Sequence, residues 1–178
     1  IVLLGNPLPL TDNPVRLAEE LAMIDMVSKG RLVSGFVRGG GQEQLATNAN
    51  PADNRERVQE AHDLIVKAWT VPGPFRWEGK HYHQRVVNPW ALPLQQPHPR
   101  IWIPGVISHS TVLVEHPELV AERIERYVSV VGRENVIAGA DCGFAPFAGS
   151  KEVHPSIVWA KFQSPVEGAR IASKRLWG

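Results

Sequence analysis

Short apolar runs alternate with stretches of helical periodicity along the whole chain, and this alternation limits the fold more than any single residue does. Residues 1–5 (IVLLG) read as a fully buried parallel strand that stops at Gly-Asn-Pro. Asn13 is suited to cap a helix and Pro14 to open it. Leu17, Ala18, Leu21, Ala22 and Ile24 then recur on one face until Ser28-Lys29-Gly30 ends the run. Residues 31–38 (RLVSGFVR) predict a second strand, followed by a triple glycine at 39–41 and a polar, irregular stretch over 42–52. Asp53 or Asn54 is placed to cap a second helix, with Val58, Ala61, Ile65 and Ala68 as its buried stripe.

Residues 72–100 are rich in Pro, Trp and His and predict a long excursion with local strand pairs. Residues 101–103 (IWI) form a third predicted strand, stopped by Pro104-Gly105. A third helix follows Pro117, with Leu119, Val120, Ile124, Tyr127, Val128 and Val131 facing inward and Gly132 where a left-handed residue is wanted. Residues 136–139 (VIAG) read as a fourth strand and 157–176 as a last helix, which Pro165 should kink or split into two. Alternating strands and helices argue for an α/β fold of parallel (β/α) units of the TIM-barrel type. Only four or five strands are present, whereas a closed barrel needs eight, so the expectation is an incomplete, half barrel. Such a sheet leaves edges exposed, so the expectation is either association with another copy as a homo-oligomer or a rearranged sheet.

The charge balance removes whole classes of partner. Nineteen Lys and Arg against eighteen Asp and Glu leave a net charge of +1, so neither nucleic acid nor an anionic membrane is expected. No apolar run approaches the roughly 20 residues that cross a bilayer, and residues 1–5 lack the basic flank of a signal peptide. The single Cys excludes an internal disulfide and suits a reducing compartment. The expected setting is cytoplasmic, with a small-molecule substrate.

Candidate chemistry gathers at strand ends. Arg38 closes a predicted strand and precedes Gly39 and Gly40. An Arg offers a planar, always-charged fork for phosphate, and glycines let backbone amides come close. The competing reading is a rim ion pair between Arg38 and Glu43. His81 and His83 would share a face on a strand, yet no acidic or thiol partner lies at a convincing spacing, and surface histidines are the plainer account. Among the tryptophans only Trp77 and Trp90, in the excursion, suggest ligand contact; the others read as packing residues. Cys142 sits just after the fourth predicted strand, either as a small buried hydrophobe or as an accessible thiolate.

Two family resemblances bear on these residues. The segments NPVRLAEELAMIDMVSKGRLVSGFVRGGGQE (13–43), FRWEGKHYH (75–83) and PLQQPHPRIWIPG (93–105) resemble the bacterial luciferase-like flavin monooxygenases over residues 1–105. That resemblance implies a (β/α)₈ barrel holding reduced FMN at the strand ends, with Arg38 at the flavin phosphate beside Gly39 and Gly40. From about Pro104, PGVISHSTVLVEHPELVAERIERYVSVVGRENVIAGADCGF (104–144) and HPSIVWAKFQSPVEGARIASKRLW (154–177) look like the C-terminal end of cobalamin-independent methionine synthase and its zinc thiol-methyltransferase relatives. This second resemblance implies that Cys142 stands at a zinc-ligand position. A zinc site takes about four ligands, the chain has no second Cys, and His109 and His154 are conceivable substitutes that nothing in the spacing recommends. The chain therefore reads as a 1–105 fragment of one barrel and a 106–178 fragment of another, joined in register without a linker. Three expectations follow: an FMN-dependent oxidoreductase, a zinc methyltransferase, or a non-catalytic barrel fragment.

Overall fold

A computed structural model describes residues 1–102, 105–145 and 148–178. The chain forms two compact units, residues 1–103 and 104–178.

In the first unit, β1 (Val2–Pro7), β2 (Val33–Val37) and β5 (Arg100–Trp102) make a parallel sheet in the order β1-β2-β5. Val2 pairs with Val33, and Val33 in turn with Arg100. Parallel neighbours need a crossover. The first is α1 (Pro14–Val27), capped as expected by the Asn13 side chain, which accepts from the Val15 and Arg16 amides. The second is longer and contains α2 (Gly41–Ala46), α3 (Asn54–Thr70) and the antiparallel pair of β3 (Phe75–Glu78) with β4 (His83–Val87). The three strands form an open sheet of partial-barrel type, not a closed barrel. Ile103 and Pro104, which end the third predicted strand, lie outside the described residues.

The helices cover one face of this sheet. Ala18, Leu21, Phe36, Ala61, Leu64, Ile65, Ala68 and Trp69 pack as its core, with Leu3 and Ile101 joining from the edge strands. Trp69 stacks on Phe36 at 6.4 Å, and its indole N–H donates to the Ala18 carbonyl at 2.9 Å. The fully buried strand expected over residues 1–5 is not found: Val2 and Leu4 are exposed, because β1 is an edge strand covered on one face only. The stretch expected to be irregular over 42–52 contains most of α2.

Buried polar groups bind this unit together at two points. Asp25, fully buried near the end of α1, accepts from the Gln95 amide at 2.9 Å and the Gln95 side chain at 2.6 Å. Glu60 on α3 accepts from Trp77 Nε1 and from the His81 and Tyr82 amides, fastening the β3–β4 pair to the helix. Burial pushes the Asp25 carboxyl up, but the hydrogen bonds from Gln95 and the Leu32 amide outweigh it and hold it below its usual 3.8.

In the second unit α4 (Pro117–Val131) packs against α5 (Pro155–Trp177). Val120, Ala121, Ile124 and Ala172 form the core between them with Val106 and Ile107. Leu119 and Tyr127, expected to face inward, are partly exposed, since the buried stripe runs through 120, 121 and 124; the Val131 side chain lies outside the described residues. Gly132 has positive φ as anticipated, but its ψ of 146° is not left-handed helical. The strand expected over 136–139 is absent. A single parallel bridge, Ile107 to Ala140, stands there with two flanking backbone bonds, too few neighbours for a ladder. Nor does Pro165 split the last helix: α5 runs through it as one element. The helix is tied on the N-terminal side of the proline, where Lys161 bonds Glu115 and Ser164 Oγ donates to the Glu115 carbonyl.

Two outcomes test this packing. A Cβ at Gly168 would sit 2.6 Å from Val120 and 2.9 Å from the Pro117 carbonyl. Gly168→Val should therefore destabilise the chain by about 1–3 kcal/mol, read as a lower urea midpoint. A carboxyl held below its unfolded pKa stabilises the fold above that value, and the contribution is lost as pH falls through the folded pKa. Acid melts between about pH 5 and 2 should accordingly show a shallower loss of stability in Asp25→Asn, which starts from a lower neutral-pH stability.

Candidate functional site

The C-terminal end of β2 carries Arg38 and the glycine turn that follows it. Arg38 follows the last strand residue directly and is exposed. Among the described residues it makes no ion pair; Glu43, its alternative partner, is turned elsewhere. The Glu43 carboxylate accepts from the Gly40 amide at 2.7 Å, closing the first turn of α2 from the third helical position. That is half of a capping box, since Gly40 has no side chain to reciprocate. This bond closes the first turn and helps a stretch of polar sequence fold as a helix.

Gln44 completes the turn from beneath. Buried on α2, it donates through Nε2 to the Arg38 carbonyl at 3.4 Å and the Gly39 carbonyl at 3.3 Å. Its amide thereby fixes the path of the backbone between Arg38 and the helix. Gly39 has φ +73°, and a Cβ there would lie 3.1 Å from Pro7 at the end of β1. A side chain at 39 is thus excluded twice, by conformation and by space. Gly40 would meet only the Glu43 carboxylate, and Gly41 nothing within 4 Å, so the approach to these two residues is open. The arrangement can receive an anion at the guanidinium of Arg38, with the Gly40 amide engaged by Glu43.

The other sequence-derived candidates do not join this group. His81 lies in the turn before β4, with Nε2 3.0 Å from Glu56, while His83 opens β4 and is exposed. They do not present one common face as a strand pair would. Trp77 is held by Glu60, and Trp90 is 98% exposed. In the second unit Cys142 is exposed. His154 caps α5, accepting from the Ser156 amide at 3.3 Å, and His109 is paired with Asp141 at 2.9 Å. Among the described residues no group of three or more His, Cys, Asp or Glu side chains is placed to hold a metal.

Gln44 is a part of the site the sequence reading does not name, and Glu43, expected there only as a rim ion-pair partner of Arg38, instead accepts from the Gly40 amide. The usable signal was the Glu three residues after Gly40. Gln44 carried none, because an amide that braces two carbonyls has no characteristic spacing.

An Arg and a glycine turn at the C-terminal end of a parallel strand, in an open (β/α) sheet, are features of the barrel enzymes that build sites at that end. Residues 3–107 match the luciferase-like monooxygenase family. The chain belongs to that family. Two solved structures share its fold. Monooxygenase RslO1 from Streptomyces bottropensis is 20% identical, with a TM-score of 0.59 over 99% of this chain and 58% of that one. The oxygenating constituent of 3,6-diketocamphane monooxygenase from the CAM plasmid of Pseudomonas putida, a type II Baeyer–Villiger enzyme in complex with FMN, is 17% identical, with a TM-score of 0.54 over 96% and 43%. The chain thus spans roughly half the length of these two proteins. None of these matches supports a methionine-synthase-like segment over 104–178. Among the described residues no helix is long and apolar enough to cross a membrane.

The brace beneath the turn is open to direct measurement. Gln44→Ala removes the donor to both carbonyls, a loss of about 1 kcal/mol. Amide hydrogen exchange over residues 38–46 should quicken by about fivefold, while exchange in α1 stays unchanged.

Proposed function

We propose that the first unit binds FMN by its phosphate at the end of β2, as the flavin-binding part of a monooxygenase acting on a small-molecule substrate. The observation that carries this reading is the position of Arg38. In a chain matched to the luciferase-like family over residues 3–107, its guanidinium is exposed, without an ion-pair partner among the described residues, and one residue past a parallel strand. The FMN in one related structure is consistent with it.

The residues fit the phosphate end of the cofactor. Arg38 would neutralise the phosphate and donate two parallel hydrogen bonds to it, each stronger than a neutral bond because both partners are charged. Gly39 supplies the positive-φ turn, and Gly40, whose Cβ position borders only the Glu43 carboxylate, leaves the backbone bare where a phosphate oxygen would approach. The Gly40 amide becomes available only if Glu43 releases it, and that carboxylate next to the phosphate would be repelled in any case. Binding therefore exchanges one anion for another at the same amide. Reduced FMN, when bound, supplies the electrons for oxygen activation.

A zinc-dependent methyltransferase reading of the second unit has no observation in its favour. Cys142 lacks the several further ligands such a site takes, among the described residues.

Equilibrium titration with FMN and with riboflavin separates phosphate recognition from ring binding. Arg38→Ala should weaken FMN by about 10- to 100-fold, the worth of a charged hydrogen-bonded contact, and leave riboflavin unchanged. A wild-type chain that prefers riboflavin, or binds neither, refutes the proposal.

A further inference from the structure

The second unit holds a pair of side chains that neither the flavin reading nor the packing uses. A parallel bridge joins Ile107 to Ala140, so the residues just beyond, Ser108-His109 and Asp141, emerge side by side at the C-terminal ends of two parallel segments. Asp141 Oδ1 accepts from the His109 backbone amide at 2.7 Å and meets His109 Nδ1 at 2.9 Å. A carboxylate at Nδ1 requires the proton on that nitrogen, which leaves Nε2 with its lone pair free. The imidazole is 23% exposed. It is therefore oriented by the protein and still reachable from solvent.

The fold holds the flank of this histidine rigidly. Lys161 of α5, fully buried, donates to the Ser108 carbonyl at 2.9 Å, to the Leu113 carbonyl, and to Glu115 Oε2 at 3.0 Å. Glu115 Oε1 in turn accepts from the Ser108 amide at 2.7 Å. Burial raises the Glu115 carboxyl, but these bonds hold it below its ordinary value. A buried lysine with no acceptor would lose far more than it could gain, so segment 108–115 is clamped wherever α5 is folded. Ser108 Oγ and Ser110 Oγ, 3.2 Å apart, bond each other across the residue between them.

We infer that His109 is a proton acceptor with Asp141 as its positioning residue, forming a site for a small neutral molecule that gives up an O–H or S–H proton. The Asp141 carboxylate next to the ring disfavours a ligand that arrives as an anion. The proton passes from the ligand to Nε2, and the imidazolium formed is balanced by Asp141, the relation that makes such pairs effective bases. Buried Lys161 is fully engaged by its three acceptors and takes no part in the transfer.

Water is the simplest such donor, and p-nitrophenyl acetate reports its activation. Water adds to the ester carbonyl as Nε2 takes its proton, and acetate and p-nitrophenol leave. The full chain at neutral pH should hydrolyse the ester at least tenfold faster than His109→Gln, whose fold is checked by circular dichroism. Nitrogen-15 imidazole shifts should place the wild-type proton on Nδ1, and Asp141→Ala should move it to Nε2 in a folded chain. Equal rates in wild type and His109→Gln overturn the proposal, as does a wild-type ring protonated on Nε2. Neither readout depends on FMN, so the outcome is independent of the fate of the flavin reading.

Discussion

Parallel pairing on β2 is the constraint on which the first unit depends. As the middle strand it hydrogen-bonds β1 on one side and β5 on the other, and Phe36 reaches from it into the helical core. Because both pairings are parallel, all three strands end on the same side of the sheet. The turn after β2 therefore opens at the sheet end where (β/α) proteins collect ligands. Arg38 needs no special device to be there. Its place follows from the direction of the chain.

Buried polar groups then set what the hydrophobic core leaves undetermined. Apolar contacts are non-directional and would let the long crossover after β2 settle in several ways. Asp25 and Glu60 remove that freedom, because each carboxylate is aimed at named amides of the crossover, Gln95 in one case and His81 and Tyr82 in the other. In the second unit Lys161 and Glu115 do the same for segment 108–115. Leaving any of these groups without its partner would cost more than the bond is worth when made.

Much of this was legible in the order of residues, where a local signal existed. Asn13-Pro14 and the apolar spacing behind it define α1 to within a residue or two, and the stripe of Val58, Ala61, Ile65 and Ala68 defines α3. Arg38 at a strand end was readable for the same reason. What failed were features decided by partners distant in sequence. The segment 136–139 has the composition of a strand but forms no ladder, the bridge to Ile107 falling on Ala140 just past it, and Leu4 has the composition of a core residue but lies on the uncovered face of an edge. Pro165 obeys no local rule because tertiary bonds at Lys161 and Ser164 hold the helix beside it. Lys161 itself falls in line with Ser164, Gly168 and Ala172 on the buried face of α5. A lysine in a row of small residues was the available hint of its burial, and Glu115 and Asp141 offered none.

The unequal crossovers on the two sides of β2 also order its assembly. Val2 meets Val33 across a segment that is mostly one helix, whereas Val33 meets Arg100 across a loop roughly twice as long, and each doubling of a flexible loop adds about 0.6 kcal/mol of closure entropy. Closure entropy therefore favours the β1-β2 pairing as the shorter-range one, and β5 has the longer loop to close before it can dock on β2. Until it does, the side of β2 that will receive it presents unpaired backbone amides and carbonyls to the solvent. A chain with only the first pairing formed would be a two-stranded parallel ribbon with one helix, and another chain in the same state would compete for its open edge.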